Sequence, residues 1–561
     1  MAHNFKRKSA GRRDFISSEG GNAFMIFGLA FVPVMFMMGA ATDYTRLTIA
    51  RAALQQGTDA ATLAVASKMT TDTTLTQALN QAQVVINSNP QLANATVTTG
   101  SISQDKQTFC ATSTMTIQNA FMKMAQVANM TSSVTSCANL AGGVSPDATY
   151  EIALVLDNSG SMSSSAGGVS KMQALRSAAT SFVNTMYSKS QNVKFSITPF
   201  AAAVVALDPT NSANRNLPWL DQQGQNSQHW VAFGGKAAAN AQGFNNRFDI
   251  YTKLKTLKSS WDWKGCLEGP TYPNNVNDVA PNPSDPETLF MPYLAPDEPS
   301  NSNYNNNYLS DYSGTSCTQP SSNWAKLTNV CKYKAVTSAG SGGKGPNWYC
   351  SDPTTQTLMQ LTTQQSAVTS KIAQLEEGGN TNLHEGFMWG WRTISPNLPF
   401  AGGRSYNAPN NRKIMVFMTD GANNWQSNTS TAVGSTYQAL GYYSYNGTKN
   451  NRFPDGTNGD GNNYQTLLNA SANKSSDYWG TSRDMLDDMT LEACTNAKAA
   501  GIEIFTIGFS TPTDPIDQQG LDLLKSCATN TDHYYKAENA SDLNAAFSSI
   551  GIGLGKLRLS Q

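Results

Sequence analysis

The chain has no excess of charge of either sign, and charged residues are scarce. Its 561 residues include 39 Lys and Arg and 39 Asp and Glu, so the formal net charge is zero, and only 14% of the residues are charged. Nucleic-acid-binding proteins carry a basic surface, so this balance argues against such a partner. The low charge also differs from the highly charged composition of disordered chains. We therefore expect a folded protein with an uncharged polar surface.

Sequence motifs of several enzyme classes and metal sites are also missing. The 8 cysteines include no CxxC pair, which argues against a zinc ribbon or a thioredoxin-type site. GxSxG, HExxH and Walker patterns do not occur, so an enzyme is not predicted. The 4 histidines are scattered. His384 is close to a candidate site residue, Thr381, but a structural role on a helix face is the favoured interpretation.

Only one stretch is apolar and long enough to cross a membrane, so a multi-span transporter is not expected. Basic residues at positions 6–13 precede an uncharged run over 23–42, and about 20 apolar residues are enough for a helix to span a bilayer. The positive-inside rule places residues 1–22 in the cytoplasm and everything from Asp43 onward outside it. The apolar run is longer than that of a signal peptide and continues into a helical pattern over 43–68. An uncleaved single-pass anchor is therefore favoured over a cleaved signal.

The N-terminal segment has a recognisable pattern. It reads EGGNAFMIFGLAFVPVMFMMGAATDYTRL and then ARAALQQGTDAATLAVA, with Glu19 before the apolar run, Asp43 just after it, and Gln55 and Asp59 in the following helix. This pattern resembles the N-terminal segment of Tad/Flp pilus-assembly proteins of the TadE/TadG-like group. The resemblance implies a pilin-type helix that lies half in the membrane of a bacterial cell.

Residues 43–148 predict a small extracytoplasmic unit of helix and strands. The helical pattern runs to about Asn87, and Asn89-Pro90 ends it. Alternating apolar and polar residues between 95 and 137 then indicate strands. Cys110 and Cys137 fall in this region, where a disulfide between them would be possible outside the cytoplasm.

From residue 149 to 557, buried strands alternate with helical patterns. The strand-like runs are YEIALVLD, VKFSITPFA, KIMVFMTD, IEIFTIGF and HYYKA. Strands that alternate with helices predict an α/β fold with a doubly wound, Rossmann-like parallel sheet covered on both faces. Two polar segments interrupt the pattern, at about 208–355 and 421–480, and are interpreted as insertions.

The first insertion contains four cysteines and many aromatic residues, which indicates a folded elaboration held by disulfides. The sequence leaves open how Cys266, Cys317, Cys331 and Cys350 pair. Four tryptophans could form a binding face or, as is more common, the small core of the insertion: Trp261, Trp263, Trp324 and Trp348. In the second insertion, DGTNGDGN at 455–462 lacks the spacing of a calcium-binding EF-hand, so a solvated turn is expected.

Candidate metal ligands follow three of the predicted elements. The first strand ends in the D-x-S-x-S sequence of Asp157, Ser159 and Ser161. Thr381 precedes a helix, and Asp420 ends another buried strand. Ligands of open α/β sheets bind at the carboxyl ends of the strands, where these side chains should meet. Their oxygen atoms suit Mg²⁺, Mn²⁺ or Ca²⁺ better than zinc. The alternative to a metal site is an ordinary strand-to-helix turn in which Asp or Ser caps the helix.

In this order, the five residues resemble the metal-ion-dependent adhesion site of von Willebrand factor A (vWA) domains. The resemblance implies that Asp157, Ser159, Ser161 and Thr381 contact the ion and that Asp420 lies near it. It also implies that one coordination position is left for a carboxylate from a protein partner. The C-terminal pattern resembles that of TadG-type proteins, which implies that Cys494 and Cys527 pair.

Three functions are compatible with these patterns. The first is a membrane-anchored, extracytoplasmic component of Tad/Flp pilus assembly that binds pilus or secretion subunits through the metal site. The second is a surface adhesin that recognises a host or matrix ligand with the same site. The third is an enzyme module in the insertions, with the vWA domain as its scaffold. The N-terminal resemblance favours the first.

Overall fold

A computed structural model of the chain describes most of its length. The described residues are 19–66, 68–69, 73–103, 108–139, 148–190, 192–300, 304–310, 317–340, 343–425, 431–433, 436–442, 444–445, 448–449, 452, 475–554 and 558–560. The chain divides into two compact units: Met1–Ser145 with Leu554–Gln561, and Pro146–Gly553. The sequence DGTNGDGN, for which a solvated turn was expected, lies outside the described residues.

The first unit combines two helices with an antiparallel sheet. Its helices are α1 (Glu19–Ala66) and α2 (Leu75–Asn87), and its strands are β1 (Ala95–Ile102), β2 (Thr108–Gln118), β3 (Asn129–Asn139) and β14 (Arg558–Ser560). The strand order is β1-β2-β3-β14. The predicted helical stretch ends at Asn87, as expected, but it consists of two helices and not of one. Thr74 caps α2 in a capping box with Gln77, and the β-branched threonines before it disfavour continuing α1.

Helix α1 has two different halves. The apolar residues between Ile26 and Met38 are exposed, whereas Leu54, Ala61 and Val65 are buried in the core of the unit. Among the described residues, α1 alone is long and apolar enough to cross a membrane, by length and composition. The predicted span 23–42 lies within α1 and contains these exposed residues.

Asp43 marks the boundary between the two halves of α1. Its buried carboxylate accepts hydrogen bonds of 2.8 to 2.9 Å from the backbone N–H groups of Ala120, Phe121 and Met122. Three donors satisfy a charge that would otherwise be costly to bury. The sheet is linked internally by a disulfide between Cys110 of β2 and Cys137 of β3, as the sequence allowed.

The second unit is built on a six-stranded sheet. Its strands are β4 (Thr149–Asp157), β5 (Val193–Phe200), β8 (Met359–Thr362), β9 (Asn411–Thr419), β12 (Glu503–Phe509) and β13 (Tyr534–Ala537). They lie in the order β13-β12-β9-β4-β5-β8, and all neighbours are parallel except β5 and β8. The fold is mixed α/β, as predicted, but the purely parallel sheet was wrong. The edge strand β8 follows the first insertion, from which the chain re-enters the sheet in the opposite direction.

Helices pack against both faces of this sheet. They are α3 (Lys171–Lys189), α9 (Gln365–Ala373), α10 (Leu383–Ile394), α11 (Ser475–Ala499), α12 (Gln518–Cys527) and α13 (Ala540–Gly553). On one face, Phe182 of α3 contacts Phe195, which is level with Ile152 of β4. On the other, α10 passes so close to β4 that a Cβ on Gly390 would lie 2.2 Å from Val155. Ile152 and Val155 point to opposite faces of the sheet, because side chains alternate along a strand. The two layers of helices therefore cover the opposite faces of β4.

The first insertion is folded but has little regular structure. It contains the helices α4 (Lys236–Ala241), α5 (Arg247–Leu257), α6 (Asn323–Thr328), α7 (Cys331–Ala335) and α8 (Pro353–Gln356), and the paired strands β6 (Leu267–Glu268) and β7 (Met291–Pro292). Its disulfides join Cys266 to Cys350 and Cys317 to Cys331. Trp261 and Trp263 are buried in an aromatic core, and Trp324 and Trp348 are partly buried against it.

The two insertions are joined by buried charges. Glu268 of the first insertion forms ion pairs with Arg247 and with Arg452, the latter in the second insertion. The described part of the second insertion includes a small hairpin of β10 (Ser444–Tyr445) and β11 (Thr448–Lys449). A buried charge is tolerated when it is paired, so these contacts hold the insertions to each other.

Glu298 of the first insertion provides a test of this junction. Burial raises the pKa of Glu298 to about 7, although its carboxylate accepts hydrogen bonds from the Ala432 backbone N–H and the Tyr442 hydroxyl. With a folded pKa above the unfolded one, its stabilising contribution is complete below the unfolded pKa and is lost as the pH rises through the folded pKa. Between about pH 4.5 and 7.5, the free energy of unfolding should therefore fall less in Glu298→Gln than in the wild type. The difference should be on the order of 2 kcal/mol.

Urea unfolding at a series of pH values measures this difference. Glu538→Gln, which removes an exposed carboxylate, is the matched control and should follow the wild type. The same pH dependence in Glu298→Gln and the wild type would contradict the assignment.

Cys494 and Cys527 form the fourth disulfide, as the sequence resemblance implied. Their Cα atoms are 5.2 Å apart, and the bond joins the C-terminal part of α11 to the last residue of α12. All eight cysteines are therefore paired. Such a set of disulfides is typical of proteins that fold in an oxidising compartment.

Candidate metal site

The candidate site lies at the carboxyl edge of the six-stranded sheet. At this point, the connections that leave two neighbouring strands run to opposite sides. Strands β4 and β9 are parallel neighbours, with Leu156 level with Met418. From β4, the chain continues to β5 on one side, whereas β9 leads to β12 on the other. Asp157 and Asp420 therefore emerge side by side at the point where open α/β sheets usually bind ligands.

The loop after β4 folds around the Asp157 carboxylate. The backbone N–H of Ser159 donates a 2.7 Å hydrogen bond to Oδ1 of Asp157, which turns the chain directly after the strand. The hydroxyls of Ser159 and Ser161 lie 3.0 Å apart. Asp157 and Ser159 are buried, and Ser161 is partly buried. The D-x-S-x-S sequence thus forms one compact cluster of oxygen atoms.

Asp420 joins this cluster from β9. The Ser161 hydroxyl donates a 2.7 Å hydrogen bond to Oδ1 of Asp420. The hydroxyl of Thr419 donates a 2.6 Å hydrogen bond to Oδ2 of Asp157. Hydrogen bonds therefore link four of the five residues singled out in the sequence into one chain of contacts, in the order Asp157, Ser159, Ser161 and Asp420.

Thr381 lies beside the same cluster, in the loop before α10. Its backbone carbonyl accepts a 2.8 Å hydrogen bond from Asn424, and the neighbouring Gly379 carbonyl accepts one of 2.9 Å from Gly160. A methyl group placed on Gly421 would lie 3.6 Å from the Thr381 hydroxyl and 3.9 Å from the Ser161 hydroxyl. The two hydroxyls thus border the same small space, and the fold brings all five residues together.

The carboxylates of Asp157 and Asp420 are buried close together and repel each other. Burial and the nearby Asp420 together raise the pKa of Asp157 to about 7, although the hydrogen bonds from Thr419 and Ser159 oppose the shift. Burial also raises the pKa of Asp420, while Lys171 opposes that shift. Buried carboxylates that repel each other are relieved by a bound cation, so the electrostatics fit a metal ion.

The donor chemistry defines which ion fits. All five side chains offer oxygen atoms, which are the ligands that Mg²⁺, Mn²⁺ and Ca²⁺ prefer. In the described part of the chain, no group of three or more His, Cys, Asp and Glu side chains has the geometry of a metal site. An ion held here would therefore depend on hydroxyl oxygens as well as on the two carboxylates.

Sequence reasoning missed two charged neighbours of the site. The ammonium of Lys171, at the start of α3, forms a buried ion pair of 2.9 Å with Asp420 and an ion pair of 2.8 Å with the partly exposed Asp514. Asp514 lies in the loop after β12 but not directly at the end of the strand, so the rule that predicted Asp420 does not mark it. Lys171 begins a helix and gave no signal either. Thr419 was missed as well, although it directly precedes Asp420.

His384 does not lie among the oxygen atoms of the site. One of its ring nitrogens, Nε2, lies 2.9 Å from the carbonyl oxygen of Asn275 in the first insertion. Burial lowers the pKa of His384 to about 3, so the ring is neutral at physiological pH. This placement agrees with the structural role that was favoured for it.

A family model supports the N-terminal resemblance. The Tad model, described as "Putative Flp pilus-assembly TadE/G-like", matches residues 21–68. This match covers most of α1 and supports the assignment of the N-terminal segment to the Tad/Flp pilus group. Together with the apolar half of α1, it indicates a membrane-anchored protein. None of the curated proteins matches the chain.

Several solved structures are distantly similar to the chain. The pilus adhesin SpaC from Lactobacillus rhamnosus GG is 12% identical with a TM-score of 0.30, and the match covers 82% of this chain but only 35% of SpaC. The PilB minor pilin from Streptococcus sanguinis is 11% identical with a TM-score of 0.32, covering 82% of this chain and 77% of PilB. Proximal thread matrix protein 1 from the mussel byssus, solved with a zinc-occupied MIDAS motif, is 10% identical with a TM-score of 0.28, covering 73% and 48%. With TM-scores this low, the geometry of the site itself carries the functional conclusion.

Proposed function

We propose that the second unit is a vWA-type domain whose site binds Mg²⁺, with Mn²⁺ and Ca²⁺ as alternatives. Asp157, Ser159, Ser161 and Thr381 would contact the ion, and Asp420 would lie close to it. The observation that carries the proposal is the convergence of these five oxygen-bearing side chains from three separate loops. The strand order, with later strands added on both sides of β4, is that of a doubly wound sheet and supports the same assignment.

The charge of the site favours recognition of an acidic group. Lys171 pairs with Asp420, so only part of the carboxylate charge is available to neutralise a divalent ion. A bound ion that keeps positive charge attracts a further carboxylate. Four side-chain contacts would not fill the octahedral shell of Mg²⁺, so a coordination position would be left for that carboxylate. We infer that a protein partner supplies this carboxylate from an Asp or Glu. Such a site recognises its partner without breaking a bond, so the proposed role is binding and not catalysis.

The proposed setting is Tad/Flp pilus assembly at a bacterial cell membrane. The match over 21–68 supports the pilus context, and α1 would be the single membrane anchor. The N-terminus would be cytoplasmic, and everything from Asp43 onward would be extracytoplasmic, in the periplasm. Four disulfides support this orientation, because reducing compartments rarely keep such bonds. The partners would then be pilus or secretion subunits.

Capture of partners with and without the metal tests this function. The tagged full chain is solubilised from the membranes of its own cells in mild detergent, and the bound proteins are quantified in Mg²⁺ and in EDTA. We expect Tad pilus subunits in Mg²⁺, their loss in EDTA, and at least a tenfold loss with Thr381→Val. Thr363→Val, which removes an exposed hydroxyl between β8 and α9, should behave as the wild type.

Two results would contradict the proposal in different ways. Equal recovery in Mg²⁺ and EDTA would exclude a role of the metal in binding. Metal-dependent recovery of extracellular matrix or host-surface proteins in place of pilus subunits would support the surface adhesin.

A further inference from the structure

A cavity of about 380 Å³ lies against the back of the metal-site loops. One wall belongs to the core of the second unit, where Asn158 and Gly379 border the cavity next to the candidate ligands Ser159 and Thr381. The other wall belongs to the end of the first insertion, over residues 344–356. The insertion thus builds a second concave surface next to the candidate metal site.

Negative charge predominates at the rim of the cavity. Three exposed carboxylates line it, from Asp352, Glu376 and Glu377, and one exposed ammonium, from Lys344, stands among them. The Glu376 carboxylate accepts a 3.2 Å hydrogen bond from Thr355, and the Asp352 carboxylate caps α8. The excess of carboxylates favours a cationic guest over an anionic one.

Two aromatic rings form part of the cavity wall. Trp348 and Tyr349 stack with ring centroids 4.8 Å apart and planes inclined by 22°, and both are partly buried. The faces of aromatic rings attract cations, and a planar guanidinium can also stack on them. This wall therefore favours a planar cation over a compact, strongly hydrated one.

Asn158, which borders the cavity, has an unused buried acceptor. The Asn158 side chain is buried, and its amide nitrogen donates to Gln356 at 2.7 Å and to the Glu376 carbonyl at 3.1 Å. Its other terminal atom, Oδ1, has no hydrogen-bond partner among the described residues. A buried acceptor without a donor is costly, so a guest that brings N–H groups would be favoured here.

We propose that this cavity binds the guanidinium of an arginine side chain from a protein partner. The carboxylates would attract it, Trp348 and Tyr349 would stack with it, and Asn158 would accept one of its N–H groups. The same partner would also place a carboxylate on the metal ion, and this second contact rests on the proposed function. In that case, the partner presents a basic and an acidic side chain on one surface.

Binding of a small arginine analogue tests the cavity. The full chain is held in detergent micelles and titrated with N-acetyl-arginine methylamide or with the citrulline analogue, which has nearly the same shape but no charge. Ligand-observed NMR should detect the arginine compound at millimolar concentration and at least tenfold weaker binding of the citrulline compound. Glu377→Gln should weaken arginine binding at least threefold, whereas Asp522→Asn, which removes an exposed carboxylate on α12, should not.

The metal separates this proposal from the proposed function. Arginine binding should persist in EDTA, because the cavity is formed without the ion. If the arginine compound binds in EDTA but the chain binds no Mg²⁺, the cavity proposal stands and the metal site fails. Equal binding of the two compounds, no binding of either, or an equal response of Glu377→Gln and Asp522→Asn would overturn the cavity proposal.

Discussion

Asp157→Asn should weaken Mg²⁺ binding by at least 100-fold. The amide keeps the shape of the side chain and one oxygen, which can still accept from the Ser159 N–H, and the Thr419 hydroxyl can turn to donate to the Gly421 carbonyl. The substitution removes a buried negative charge. Attraction between opposite charges is strong where water is excluded, so loss of this charge should outweigh every other single change at the site. Calorimetric titration of the full chain with Mg²⁺ measures the affinity. Asp522→Asn, which changes an exposed carboxylate on α12, is the control and should bind Mg²⁺ normally.

The same substitution should leave the metal-free protein folded and at least as stable as the wild type. It removes a buried charge and its repulsion with Asp420, and burial and this repulsion are what raise the pKa of Asp157 in the metal-free form. At a Mg²⁺ concentration 100 times the dissociation constant of the wild type, the wild type should gain about 2.7 kcal/mol of stability, and the variant at most about 0.4 kcal/mol. Thermal unfolding with and without Mg²⁺ separates these effects. Unchanged Mg²⁺ affinity in a folded Asp157→Asn variant would refute the metal site.

Lys171→Met should strengthen Mg²⁺ binding by at least tenfold. The ammonium of Lys171 is fully buried and lies 2.9 Å from the Asp420 carboxylate, so it competes with the ion for that charge. Methionine keeps much of the length and the apolar contacts of the side chain without the charge. A tenfold change corresponds to about 1.4 kcal/mol, which is modest for a buried charge a few ångströms from an ion. Calorimetric titration under the same conditions measures it.

A second lysine on the same helix provides the control for this prediction. Lys189 lies at the other end of α3, where its ammonium donates to the carbonyl of Gly551. Lys189→Met therefore removes the same charge far from the site and should leave Mg²⁺ affinity unchanged. The metal-free Lys171→Met variant should be less stable than the wild type, because Asp420 and Asp514 lose their shared counter-charge. Unchanged or weaker Mg²⁺ binding in the folded variant would contradict the competition between Lys171 and the ion.

Local sequence patterns predicted most of the elements that position the site. The continuous apolar runs that end in Asp157 and before Asp420 form buried neighbouring strands, and the helix after Thr381 begins within two residues of it. These features depend on residues close together in the chain, so their periodicity is visible in the sequence. The pairing of Cys494 with Cys527 was reached through family resemblance, and the other three pairings were left open or only allowed.

Contacts between distant segments were beyond such reasoning. Lys171 meets Asp420 and Asp514 from positions more than 200 residues away, and nothing in its local sequence marks it. The short strand β8 pairs at the sheet edge only because the first insertion returns the chain there. The junction of Glu268 with Arg452 likewise unites two segments that look unrelated in the sequence.

By itself, the sequence determined the apolar anchor, the buried strands and the oxygen-bearing residues at their ends, because each depends on neighbouring residues. The tertiary structure alone decided which charges share the site, how the insertion cysteines pair and where a cavity forms beside the metal-site loops. Those outcomes depend on which surfaces are buried against each other, and burial between segments far apart in the chain has no local signature.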